Sequence, residues 1–204
     1  MKNTIAIAAI AGIASAAAAQ NVTLNIVASQ TLVNSNTTSM ITLSVYGSAD
    51  FGTHVAGGGF SLSAAGGAGV IGAMDGTAEA WGGIGENDIG DGGDGNYTGI
   101  VFGQLIAPPF FPPAPESDFS AGETLLVTFT VQIIAGSSGV IDWSTAIAPV
   151  GGGVILNIFD AGDGSLTDVF SATFGSTGAV TVVPAPSAMA LLGLGGLVAG
   201  RRRR

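Results

Sequence analysis

Between Thr124 and Ile133 the chain reads TLLVTFTVQI, and this alternation constrains the fold more than any other feature. Leu125, Val127, Phe129, Val131 and Ile133 fall on one side of an extended chain, and Leu126, Thr128, Thr130 and Gln132 fall on the other. A period of two suits a strand with one buried face and does not suit a helix. The pattern recurs in VTLNIVAS (Val22, Leu24, Ile26), SMITLSVYG (Ile41, Leu43, Val45), FSLSA (Phe60, Leu62) and VIDWSTAI (Ile141, Trp143, Thr145, Ile147). It continues in GIVFGQLI, VILNIF, VFSATF and AVTVV, with Gly, Asn, Asp, Ser or Pro between the runs. The spacing predicts an all-β chain, an antiparallel β-sandwich of about nine strands. GTAEAWGGI alone offers a turn or two of helical period.

Charge narrows what such a sandwich does. The chain holds 14 Asp and Glu, and its five basic residues are Lys2 and Arg201 to Arg204. From Asn3 to Gly200 there is no Lys or Arg, so ion pairs between those residues and carboxylates are absent from the middle of the chain. Stability there falls to apolar burial and backbone hydrogen bonds. Nucleic acid is excluded as a partner, because phosphate neutralisation needs Lys or Arg. An anionic membrane surface is repelled, whereas cations are attracted. With no cysteine, disulfides and thiolate metal sites are excluded too.

Both ends read as addresses. Residues 1–19 carry one basic residue, an apolar run from Ile5 to Ile13, and small residues at Ala17 and Ala19. That is the pattern of a secretory signal helix cut by signal peptidase, leaving Gln20 as the new terminus. At the other end, residues 187–200 form an uncharged run before Arg201, Arg202, Arg203 and Arg204. As a helix this run rises about 21 Å, a short span against a hydrocarbon core about 30 Å thick. Arginines after it stay on the cytoplasmic side. The domain assignment is therefore residues 1–19 signal peptide, 20–182 extracellular sandwich, and 183–204 tail with a short transmembrane helix.

Pro184, Ala185 and Pro186, the apolar run and the Arg cluster together resemble the PEP-CTERM sorting signal over residues 183–204. The usual motif has Glu between the prolines, where this chain has Ala185. The resemblance implies processing by a membrane-embedded exosortase and delivery to the cell surface or extracellular polysaccharide. A plain membrane anchor is the alternative. The succession of GGGFSLSA, a long loop and FSAGETLLVTFTVQI is similar to cohesin-like and related carbohydrate-module sandwiches.

Two stretches interrupt the strands. Residues 82–99 form an acidic glycine loop, in which Asp88, Asp91 and Asp94 are candidate calcium ligands because glycine lets a backbone fold around a cation. Their three-residue spacing is not that of an EF-hand loop. Residues 107–123 contain five prolines and predict a rigid, extended connection. Trp81 and Tyr97 flank the acidic loop as candidates for stacking on sugar rings, while Trp143, on the apolar side of its strand, belongs to the core. Asp160, Asp163 and Asp168 surround a turn with Asp163–Gly164 as its pair. His54, the only histidine, cannot build a multi-histidine metal site. No catalytic residue and no cofactor is assigned, beyond a calcium ion at the acidic loop.

The reading is an exported, non-enzymatic structural or adhesive protein of the cell surface or exopolysaccharide matrix. Its partners are signal peptidase, an exosortase-like enzyme and extracellular polysaccharide. A carbohydrate- or calcium-binding module on the same scaffold is the second reading, and a secreted hydrolase the third.

Overall fold

The computed structural model describes residues 21–78, 93–147, 154–175 and 178–184. Twelve strands lie among them: β1 (Val22–Ala28), β2 (Leu32–Asn34), β3 (Ser39–Ala49), β4 (His54–Ala65), β5 (Ile71–Ala78), β6 (Tyr97–Gly103), β7 (Thr124–Ile133), β8 (Gly139–Ile147), β9 (Leu156–Phe159), β10 (Leu166–Val169), β11 (Thr173–Phe174) and β12 (Val180–Val183). They form a five-stranded sheet in the order β11-β1-β3-β7-β5 and a seven-stranded sheet containing β10-β9-β4-β8-β12-β2 with β6 beside β4. The alternating positions face one another across the gap. Leu24, Leu43, Val45, Phe129 and Val131 from the first sheet meet Phe60, Leu62, Ile100, Ile141 and Trp143 from the second in one buried cluster.

The sandwich is not purely antiparallel. β11 runs parallel to β1 and β12 runs parallel to β2, because short strands late in the chain add to edges made early. VFSATF, read as one strand, divides between β10, which pairs with β9, and β11, which pairs with β1. Strand β5 replaces the helical reading at Gly76–Ala78; the rest of that segment lies outside the described residues, as do residues 1–20 and 185–204.

One local irregularity reverses an expectation. The pairing of β3 with β7 steps from Val45–Val127 to Tyr46–Leu125, leaving Leu126 as an extra residue. A bulge flips the residues beyond it. Leu126 is therefore fully buried and Leu125 only partly so, the reverse of the strict alternation. Gly47 makes room for it: a Cβ there would lie 2.8 Å from Leu126 Cδ1.

Strand β4 organises the second sheet. Phe60 pairs with both Ile100 and Ile147, and Gly58 with both Phe102 and Leu156. A strand has two edges, so β6 occupies one edge while β8 and then β9 share the other. β9 pairs as far as Gly58 and β8 takes over at Phe60, so the change from one strand to the other falls opposite Gly59.

The sandwich has two distinct poles. At the first, β4 begins, β3 and β9 end and β7 starts. Segment 114–124 joins the two sheets there, with Phe119 N–H donating to Thr53 O and Thr124 Oγ1 donating to Glu116 O. At the second, buried Ser35 ties the end of β12 to the turn after β7, its hydroxyl donating to Ser137 O at 2.6 Å and its backbone N–H donating to Val183 O at 3.0 Å. Pro184 leaves the fold at this second pole.

Candidate functional site: an apolar loop at the first pole

The segment after β6 does not run extended. Ala107 N–H donates to Phe111 O and Phe111 N–H returns to Ala107 O, at 2.8 and 3.0 Å. The chain closes into a tight turn around Pro108, Pro109 and Phe110, with a cis bond between the two prolines. Proline rigidity thus makes a closed projection instead of the expected straight connection. Its tip is apolar: Phe110 is 83% exposed, Leu105 51% and Phe111 42%. Burying a side chain of this size stabilises by roughly 1.5–3 kcal/mol, and this loop forgoes that within the monomer. Grouped exposed apolar side chains mark interaction surfaces more than isolated ones do.

The base of the loop is fixed by one amide. Gln104 Nε2 donates to Val55 O at 2.7 Å and to Ser117 Oγ at 2.8 Å, and its Oε1 accepts from Ala114 N–H at 2.8 Å. Ser117, fully buried, donates its hydroxyl onward to Ala114 O. This network satisfies groups that the irregular backbone would otherwise leave without partners. No sequence pattern marks Gln104 for this role, because its partners lie on two other segments, β4 and residues 114–117.

Next to the loop stands the single histidine. His54 opens β4 half-buried, with Nδ1 2.8 Å from Thr53 Oγ1 and its ring edge-on to Phe159. It bridges across to Asp118. The Asp118 carboxyl is held below its ordinary range, chiefly by hydrogen bonds from Ser120 and to a lesser degree by the charge of His54. Other acids serve the backbone in the same way. Asp50 accepts from Asn21, and Asp163 from Ser165, and both are held below the ordinary range by those hydrogen bonds. Asp160 and Asp163 shape a six-residue loop between β9 and β10, with Gly164 at φ 75°, so the Asp163–Gly164 pair turns the chain within a longer loop than a two-residue hairpin.

The candidate residues from the sequence divide. Tyr97 is not a stacking platform: it is 4% exposed, its hydroxyl donates to Met74 O at 2.6 Å, and its ring lies 5.1 Å from that of Phe129. The phenol joins the two sheets, and a sugar has no access to its face. Trp143 is fully buried, as its position predicts. Asp94 is exposed with a left-handed backbone at φ 56°, in a 3-10 turn just before β6. Asp88, Asp91 and Trp81 lie outside the described residues, as do Ala17, Ala19, Gln20, Ala185, Pro186 and Arg201 to Arg204. Among the described residues, no group of three or more His, Cys, Asp or Glu is arranged to hold a metal, and no helix is long and apolar enough to cross a membrane.

No protein-family model matches the chain, and no curated protein sequence matches it. Among solved structures it is similar to cohesin modules. The sixth cohesin of Acetivibrio cellulolyticus scaffoldin B, solved in complex with a Cel5 dockerin mutant, is 12% identical with a TM-score of 0.47, over 80% of this chain and 99% of that one. The seventh ScaB type I cohesin of Pseudobacteroides cellulosolvens is 13% identical with a TM-score of 0.44, over 79% and 93%. A type III cohesin module of the cell-surface anchoring scaffoldin ScaE of Ruminococcus flavefaciens is 14% identical with a TM-score of 0.44, over 79% and 87%.

Proposed function

We propose that this protein is an exported, non-enzymatic adhesive component of the cell surface or exopolysaccharide matrix, and that it grips an uncharged protein partner through the loop bearing Leu105, Phe110 and Phe111. The observation that carries this reading is the polarity of the fold. The loop projects from the pole opposite to the one where Pro184 leaves. A chain held by its C-terminal tail would present these aromatics outward, away from the anchor. The closed turn and the Gln104 clamp keep the loop ordered, which lowers the entropy lost on binding. Asp50, Asp118, Asp160 and Asp163 accept hydrogen bonds from nearby backbone groups, which suits a structural role better than proton transfer.

Sorting forms the second half of the proposal. Signal peptidase cuts before Gln20, the tail of residues 183–204 halts the chain in the membrane, and an exosortase-like enzyme releases it near Pro184–Ala185–Pro186. The test combines both halves. Intact masses of the protein from membrane and matrix fractions of its host should lack residues 1–19 and the Arg cluster. A Phe110→Ser, Phe111→Ser variant should keep its melting temperature and lose severalfold in matrix retention. Retention equal to that of the unaltered protein would refute the adhesive loop. A matrix form that still carries Arg204 would refute the sorting half alone.

A further inference from the structure

Away from the apolar loop, the outer face of the second sheet contains a groove of about 240 Å³ lined by Gly58, Gly59, Val101, Phe102, Val154, Asn157 and Asp168. We infer that this groove binds one neutral, vicinally hydroxylated ring, such as a hexose unit of a polysaccharide. The inference is separate from the adhesive loop and uses none of its residues.

The groove exists because of how β4 is built. Gly57–Gly58–Gly59 places three residues without side chains in the middle of the sheet. Bulky residues are not admitted there: a Cβ on Gly58 would lie 2.1 Å from Ile155 O, and one on Gly57 2.9 Å from Phe102 O. The neighbouring strands do carry side chains, so the glycine run forms a floor and they form the rim. Val101 stands on β6 on one side; on the other, Asn157 on β9 pairs in register with Asp168 on β10. The volume is below the roughly 300–1,000 Å³ of sites that take drug-sized ligands, which limits the occupant to about one ring.

The polar groups define its chemistry. Asn157 Nδ2 donates to Asp168 Oδ1, which fixes the amide and the carboxylate side by side. That contact uses one amide hydrogen, and no described residue accepts the other. A carboxylate accepts and an amide N–H donates, and Asp168 keeps lone pairs for further hydrogen bonds. Adjacent acceptor and donor match two neighbouring hydroxyls, one donating and the other accepting. An ammonium group only donates and would leave the amide hydrogen unmatched. Val101 and Val154 supply an apolar wall for the C–H face of a ring. An anionic ring is disfavoured, because no Lys or Arg lies between Asn3 and Gly200 to offset Asp168.

The test is NMR titration of the full exported protein with neutral cello- and manno-oligosaccharides, oligogalacturonate and glucosamine oligomers. A neutral oligosaccharide should shift the amides of Gly58, Gly59, Asn157 and Asp168 at millimolar concentration. Oligogalacturonate should bind at least tenfold more weakly. Asp168→Ala and Val101→Trp should each weaken neutral binding at least fivefold; both sit on the outer face, and if the bulky Trp disturbs folding, Asp168→Ala decides alone. The inference falls if no neutral oligosaccharide shifts these amides, if only the glucosamine oligomers do, or if Asp168→Ala binds as well as the unaltered chain.

Discussion

Replacing Gln104 with Ala removes the clamp and leaves the apolar tip in place. The side chain makes three hydrogen bonds, to Val55 O, Ser117 Oγ and Ala114 N–H, at 2.7 to 2.8 Å. Val55 and Ser117 are fully buried and Ala114 is 6% exposed, so their polar groups have little access to water. At about 1 kcal/mol each, the bonds sum to about 3 kcal/mol. Gln104 itself is half-buried, and water entering the vacated space returns part of this. The expected loss is about 2–3 kcal/mol, or roughly 4–12 °C in melting temperature for a chain of this size. Gln104→Glu should cost more at neutral pH, since it replaces the donor with a carboxylate facing Val55 O and no Lys or Arg is near to neutralise it. Urea unfolding followed by tryptophan fluorescence measures the loss, and hydrogen exchange at Ala114 N–H locates it. Phe110→Ser serves as the control: at 83% exposure it should change stability by less than about 0.5 kcal/mol. If Gln104→Ala unfolds within about 0.5 kcal/mol of the unaltered chain and Ala114 stays protected, the amide does not hold the loop and the reasoning is refuted.

Tyr97→Phe deletes the hydroxyl that donates to Met74 O and should destabilise by about 1–2 kcal/mol while leaving oligosaccharide binding unchanged; altered sugar binding would contradict its burial between the sheets. Moderate sodium chloride should raise the unfolding midpoint at neutral pH, because the region from Asn3 to Gly200 has acids to screen and no Lys or Arg; a midpoint that falls with salt would overturn this. Asp50, Asp118 and Asp163 are held below the ordinary value of 3.8, so their folded forms favour the ionised state. Their stabilisation is complete above that pH and is lost as acid protonates them at their lowered values, so acid unfolding of the Asp163→Asn variant should be less steep than that of the unaltered chain.

The sequence determined which strands carry the core. Leu24, Leu43, Phe129 and Trp143 are buried where their alternation places them, because side-chain direction along a strand is a local property of the backbone. It also determined the one-sided charge, which follows from composition alone, and the turn character of Asp163–Gly164. Tertiary structure decided matters that depend on which strand lies beside which. The bulge opposite Tyr46 exchanged Leu125 and Leu126, since one inserted residue reverses a two-residue period. β5 has no apolar alternation because, at the edge of its sheet, IGAMDGTA is largely exposed. Tyr97 borders the acidic glycine stretch in the sequence, yet β6 draws it between the sheets, where its ring meets Phe129. The Gln104 clamp and the groove over Gly58 both join residues far apart in the chain. Only folding brings such residues within hydrogen-bonding distance, so no local pattern could encode them.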